Sequence, residues 1–215
     1  FFQAEDGIRD IGVTGVQTCA LPILRSSSPA GPFQSVARQF ISGVRDIYFT
    51  DLVPSTSDRV YYYQLVAVDS CENRVKSSAV SRSILLTGKA DGGGANLLEW
   101  TSYGDWPTGV NSYRVFRTVN GLLDPVPVIS VLSSGVLELT DSVLDDFYSD
   151  GKFCYVVQAI EALGNPYQQV DTSYSNELCL IQQPTLFIPN AFHPGGGINE
   201  IFLPYPQFEI GRAHV

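Results

Sequence analysis

Apolar and polar residues alternate in short runs along this chain, and the clearest run is Lys152 to Ala162, KFCYVVQAIEA. Successive side chains of a strand point to opposite faces. Phe153, Tyr155, Val157 and Ala159 share one parity and are predicted to face a core, leaving Cys154, Val156, Gln158 and Ile160 on the other side. The run Val60 to Ser70, VYYYQLVAVDS, repeats the pattern 92 positions earlier, with Tyr61 matching Phe153, Tyr63 Tyr155, Leu65 Val157, Ala67 Ala159 and Asp69 Glu161. A period close to the length of one small β-domain predicts tandem modules.

Other short runs separated by turn residues complete an all-β pattern. In the first module Phe33 to Phe40, Asp46 to Phe49 and Val60 to Asp69 read as strands, Val53 to Asp58 as a corner, and Ala79 to Leu86 as the hairpin partner of the repeat strand. In the second, Arg82 to Thr87, Asn96 to Trp100, Ser112 to Arg117, Val126 to Val131, Val136 to Thr140, the Lys152 strand and Thr172 to Ile181 make about seven strands. Leu98 with Trp100, and Tyr113 with Val115, fall on shared faces.

The two ends differ from what lies between them. Residues 1–23, FFQAEDGIRDIGVTGVQTCALPI, resemble the conceptual translation of a sequencing adapter, and residues 210–215 can be encoded by the opposite strand of the same DNA. Residues 1–23 and 209–215 are therefore read as adapter-like artefact, the first expected to be disordered, with no function for Cys19 or His214. Glu5, Asp6 and Asp10 interrupt any leader-like apolar run. What remains begins inside the first module, which is expected to lack its leading strands.

Charge narrows the function classes. The chain carries net charge −9, and its only lysines are Lys76, Lys89 and Lys152. Nucleic acid, which demands clustered bases, is disfavoured, as is an anionic membrane surface. No apolar run approaches the roughly 18 residues of a membrane-spanning helix. Cys71, Cys154 and Cys179 form no CxxC pair, which argues against zinc.

The run LEW, then SYRVFR, LTDSVL, FCYVVQAIEALGN and SNELCL, resembles a fibronectin type III domain of bacterial surface proteins, and FTDLV, YYYQLVAVDSCEN and SSAVSRSILL resemble the latter half of another. The resemblance implies tandem immunoglobulin-like β-sandwiches: an incomplete one at 24–86 and a complete one at 83–182. It places Tyr61 at the family's corner tyrosine, whose hydroxyl bonds to backbone. Phe153 stands at that place in the second module and is expected to forgo about 1 kcal/mol, one net hydrogen bond. Cys154 and Cys179 are then expected to pair across neighbouring strands, the alternative being two unrelated thiols. That register sets Ala162 opposite Asp171 and implies export to an oxidising compartment. The mate of Cys71 is expected in the missing half.

Residues 183–208 are read as a linker and the truncated start of a third unit. TLFIPNAFHPGGGINEIFLP resembles the opening of the gliding-motility-associated C-terminal domain, the type IX secretion sorting domain, whose pattern is PNAFTPNGDGINDVF. Pro189, Asn190, Ala191, Phe192, Pro194, Gly197, Ile198, Asn199 and Phe202 match. The turn departs from the pattern: it is one residue shorter, with His193 for Thr, Gly195 and Gly196 where Asn-Gly-Asp stands, and Glu200 for Asp. Without that Asp no calcium site is expected. The resemblance implies a protein of the outer surface of, or secreted by, a Gram-negative bacterium, with the type IX secretion machinery as the partner of the full-length protein. An extracellular protein or polysaccharide is the further partner class. The truncated tail alone is not expected to direct secretion.

Candidate chemistry is sparse. His193 lies in a turn without a nucleophile or metal-ligand pattern. Asp141, Asp145, Asp146 and Asp150 lack EF-hand spacing and read as a solvated loop, and DGGG at 91–94 lacks the Lys of a phosphate loop. Tyr103 and Trp106, in YGDWPTG, suit either sugar stacking or packing at a module junction, the latter preferred. The sequence thus predicts a non-catalytic spacer or adhesive protein without cofactor or metal. The alternative is an accessory region of a secreted polysaccharide-degrading or other hydrolase whose catalytic domain lies upstream.

Overall fold

The computed structural model describes residues 20–40, 49–52, 56–104, 106–132, 135, 137–146, 149–166, 168, 170–188 and 205–208. The described elements are strands and turns, arranged as antiparallel sheets of the β-sandwich class.

The first unit is one sheet. β1 (Ala20–Ser26), β2 (Gln34–Phe40), β3 (Tyr62–Val68) and β4 (Arg74–Ser77) follow the order β2-β1-β3-β4, and β5 (Ser81–Arg82) pairs with β3 beyond β4. Two expectations change here. Ala20 to Ile23, read as part of a disordered end, form the start of β1, with Ala20 and Ile23 at 0% and 4% exposure. The physical reason is their apolar sequence, ALPI, which occupies the central place between β2 and β3. Its ladder to β3 skips Leu21 and Pro22, as suits a proline that has no N–H to give. The expected partner of β3, Ala79 to Leu86, pairs with it only through β5, and β4 supplies the earlier part of the hairpin, where Asp69 closes the turn by accepting from the backbone N–H of Cys71 and Asn73. The proposed strand Asp46 to Phe49 lies outside the described residues except for Phe49, which is not in a strand.

The second unit has two facing sheets. One is β6 (Leu86–Ala90), β7 (Ala95–Trp100) and β11 (Glu138–Ser142), in the order β11-β7-β6. The other orders β10 (Ile129–Leu132), β8 (Val110–Val119), β12 (Lys152–Glu161) and β13 (Thr172–Tyr174), with β9 (Leu122–Leu123) on β8 and β14 (Leu178–Ile181) on β12. Leu86, Leu98 and Trp100 from the first sheet meet Tyr113, Val115, Phe153, Tyr155, Val157 and Ala159 from the second, all at 3% exposure or less. The predicted parity of β12 is therefore the observed one. A slip by one residue would turn its four core side chains to solvent. The opening strand begins at Leu86 rather than Arg82, since Arg82 still belongs to the first sheet.

The repeat extends to register. Ile23 lies opposite Leu65 and Val115 opposite Val157, so β1 and β3 match β8 and β12 with the same 92-position offset on both strands.

Cys154 faces Cys179, as expected, and the two form a disulfide. The register does not continue to Ala162, however. Beyond Glu177 it slips by one, so that Ile160 faces Thr172 and the Glu161 N–H donates to Asp171 O at 2.9 Å. The cause is a bulge at Ser175 to Glu177. Ser175 donates its N–H to Val157 O at 2.8 Å and accepts from the Val157 N–H on its Oγ at 2.9 Å, while Asn176 turns to the opposite sheet: its Oδ1 accepts from the Leu86 N–H at 2.8 Å and its Nδ2 donates to Leu86 O at 3.0 Å.

After Pro184, β15 (Thr185–Phe187) pairs with β16 (Tyr205–Gln207). The nine residues Pro189, Asn190, Ala191, Phe192, Pro194, Gly197, Ile198, Asn199 and Phe202, and His193, lie outside the described residues, as do residues 1–19 and 209–215.

Candidate functional site

Among the described residues, a connected set of buried polar groups lies inside the second unit. Asp141 on β11 is 5% exposed and accepts from the Tyr155 hydroxyl on β12 at 2.7 Å and from Arg117 on β8 at 3.0 Å. Arg117 also pairs with Asp146 at 3.0 Å. The Tyr155 oxygen accepts from Asn96 Nδ2 on β7 at 2.8 Å, and Asn96 Oδ1 accepts from Gln182 Nε2 at 2.9 Å. This chain of bonds ties the two sheets together through groups that would be costly to bury unpaired. Burial first, then the neighbouring Asp141, pushes the Tyr155 phenol well above its ordinary value, although the hydrogen bond from Asn96 acts the other way.

The first unit carries the same Arg-Asp-Tyr contact. Tyr63 donates to Asp51 Oδ2 at 2.9 Å, and Arg25 NH1 lies 2.8 Å from both Asp51 oxygens. Arg25 sits 5.5 Å from the ring centre of Tyr61, as Arg117 sits 5.9 Å from that of Phe153. Arg25 to Arg117, Tyr61 to Phe153 and Tyr63 to Tyr155 all keep the 92-position offset, while Thr50-Asp51 and Thr140-Asp141 stand 90 apart.

This brace changes two sequence readings. Asp141 and Asp146 do not belong to a solvated acidic loop, because Arg117 holds both. Asp150 instead caps the start of β12 through the Lys152 N–H at 2.9 Å. The bracing hydroxyl is also not at the corner position but at the next inward residue, Tyr155 here and Tyr63 in the first unit, and the Phe153 and Phe208 rings meet edge to face at 5.9 Å between centres.

Phe208 is 2% exposed and joins the second unit's core from beyond β16, while Gln207 donates to Leu144 O at 3.2 Å. Gly151 makes room for it. A Cβ there would meet Phe208 Cβ and Gln182 O, each at 3.1 Å, and its φ is +79°.

Tyr103 and Trp106 are each 7% exposed, with ring centres 4.2 Å apart. A sugar-stacking platform needs an open ring face, and these rings are enclosed in the core. Tyr113 OH accepts from the Tyr103 N–H at 2.8 Å, and the Tyr103 hydroxyl lies 3.2 Å from Ser81 Oγ of the first unit. Asp91 closes the β6–β7 turn through the Gly93 and Ala95 N–H groups, which hold its carboxyl below the usual range. Cys154, Glu177 and Cys179 bring ligand-type atoms within 4.8 Å, but both sulfurs are spent in the disulfide.

The sequence had one usable signal for the brace: the 92-position repeat runs through Arg25 and Arg117. Nothing in the spacing of Asn96, Gln182 or Asn176 marks them, because their partners are brought in by the facing sheet.

No family model matches this chain, and neither does any curated protein. Among solved structures, it is similar to a DUF3823 family protein from Bacteroides ovatus ATCC 8483, at 10% identity and a TM-score of 0.35, over 83% of this chain and 96% of that one.

Proposed function

We propose that this chain is a non-catalytic extracellular or cell-surface protein, in which fibronectin type III-like modules act as spacer or adhesive units ahead of a secretion sorting segment. The observation that carries the reading is the duplicated brace. Both units direct an Arg, an Asp and a Tyr into a contact that holds the fold, rather than into a cleft. The second unit's pairing of a three-stranded with a larger sheet, antiparallel and with the crossovers that set β7 beside β11 and β8 beside β12, supports the fibronectin-type assignment. The Cys154–Cys179 disulfide supports an exported destination. Secretion by the type IX machinery rests on the sequence pattern from Pro189 to Phe202 alone.

The test is to recover the genomic locus encoding residues 24–208 and to fractionate cells that express it in full. Further β-repeats upstream and protein at the outer surface or in the medium are the expected results. A catalytic domain directly upstream would assign these modules to a secreted hydrolase instead. Retention of the full-length protein in the cytoplasm would overturn the reading.

A further inference from the structure

The two units meet without a free linker. Ser83 donates its N–H to Tyr61 O at 2.9 Å, and its Oγ accepts from the Tyr61 N–H at 3.0 Å, so it is held to the first sheet. Two residues later Leu85 is held to the second unit: its N–H donates to Thr101 Oγ1 at 2.9 Å, and its carbonyl accepts from the Thr101 N–H at 3.0 Å. Ile84, between them, is 2% exposed, packs in the second core and bridges in parallel to Ser175. Side chains close the same seam. Ser81, itself 3% exposed, meets the Tyr103 hydroxyl, and the Arg82 guanidinium donates to Ser102.

We infer that the two units form one rigid body, with Ser102 and Tyr103 acting as a socket for the last strand of the first unit. Independent motion would require breaking the backbone bonds of Ser83 or Leu85, or withdrawing Ile84 from the core. Each would leave buried polar or apolar groups unmatched. Loose linkers behave otherwise, because their backbone is solvated and their residues bury nothing. The inference deepens the spacer reading: a rigid pair fixes direction as well as distance. Its geometry stands apart from that reading, and its test can fail while the module assignment survives.

The experiment is backbone nitrogen-15 relaxation on the whole chain. The amides of β3 and β12 are expected to fit a single rotational diffusion tensor, with order parameters at Ser83, Ile84 and Leu85 near 0.85, the value for rigid backbone. A companion variant inserts Gly-Ser-Gly-Ser between Ser83 and Ile84, which leaves both sets of backbone bonds able to form. It is expected to give two faster-tumbling units with the chemical shifts of β3 and β12 retained. Two separate tensors in the parent chain, or order parameters below about 0.6 at Ser83 to Leu85, would each overturn the inference.

Discussion

Tyr155 donates a hydrogen bond from its hydroxyl to Asp141 at 2.7 Å, and Tyr63 donates one to Asp51 at 2.9 Å. In both units an arginine from the neighbouring strand completes the contact. Asp141→Asn would leave Arg117 without its buried counter-charge. The expected cost is about 3 kcal/mol, the lower end for breaking a buried pair. Hydrogen exchange should show protection lost first in β12 and only secondarily in β3, and Asp51→Asn should reverse that order.

Alkaline pH should loosen both units through their tyrosines. Burial raises the phenols of Tyr63 and Tyr155 above the ordinary value of about 10. A group whose folded pKa is raised contributes stability in full below its unfolded pKa and loses it as pH climbs toward the folded one. The thermal midpoint is therefore expected to hold up to about pH 10 and to fall above it. Tyr155→Phe should flatten part of that fall, while lowering the midpoint at neutral pH by loss of the hydrogen bonds to Asp141 and Asn96.

Reducing the Cys154–Cys179 bridge releases a closed loop spanning 25 positions. Loop-closure entropy sets the expected loss at about 3 kcal/mol, read as a lower urea midpoint with reductant present. Cys71 is exposed and should alkylate in native protein, whereas Cys154 and Cys179 should alkylate only after reduction.

At the far end of the second unit, Gly151→Ala tests the seat of Phe208. The new Cβ meets two atoms at 3.1 Å in a backbone conformation that disfavours side chains. A loss of about 1–2 kcal/mol is expected, together with faster hydrogen exchange in β15 and β16. Phe208→Ala, which empties a buried ring position, should cost about 3 kcal/mol.

The strand faces were legible because parity is a local property. Phe153, Tyr155, Val157 and Ala159 declare their side of the sheet without reference to anything distant. The disulfide was legible in part for the same reason, since Cys179 falls at a parity that lets it face Cys154, though two unrelated thiols stayed open as the alternative. What escaped depends on groups from other strands. Asp141 looks like a loop acid until Arg117, 24 positions away, is placed beside it. The register slip past Glu177 escaped because Asn176 leaves its own ladder to bond Leu86, 90 positions back. Ala20 to Ile23 show the converse: a stretch that resembles foreign coding sequence still has the apolar pattern of a central strand.

The bulge at Ser175 to Glu177 has a bearing on association between molecules. Edge strands invite foreign partners when they can slide to offer a fresh row of donors and acceptors. β14 lacks that freedom. Cys179 pins it covalently to β12, and Asn176, standing in for a peptide group, spends its amide on Leu86 of the opposite sheet. The one-residue offset between β13 and β14 also means that no single added strand can follow both in register. The outer margin of the larger sheet is thereby guarded against templating neighbours, a useful property for a protein whose modules are repeated along one chain.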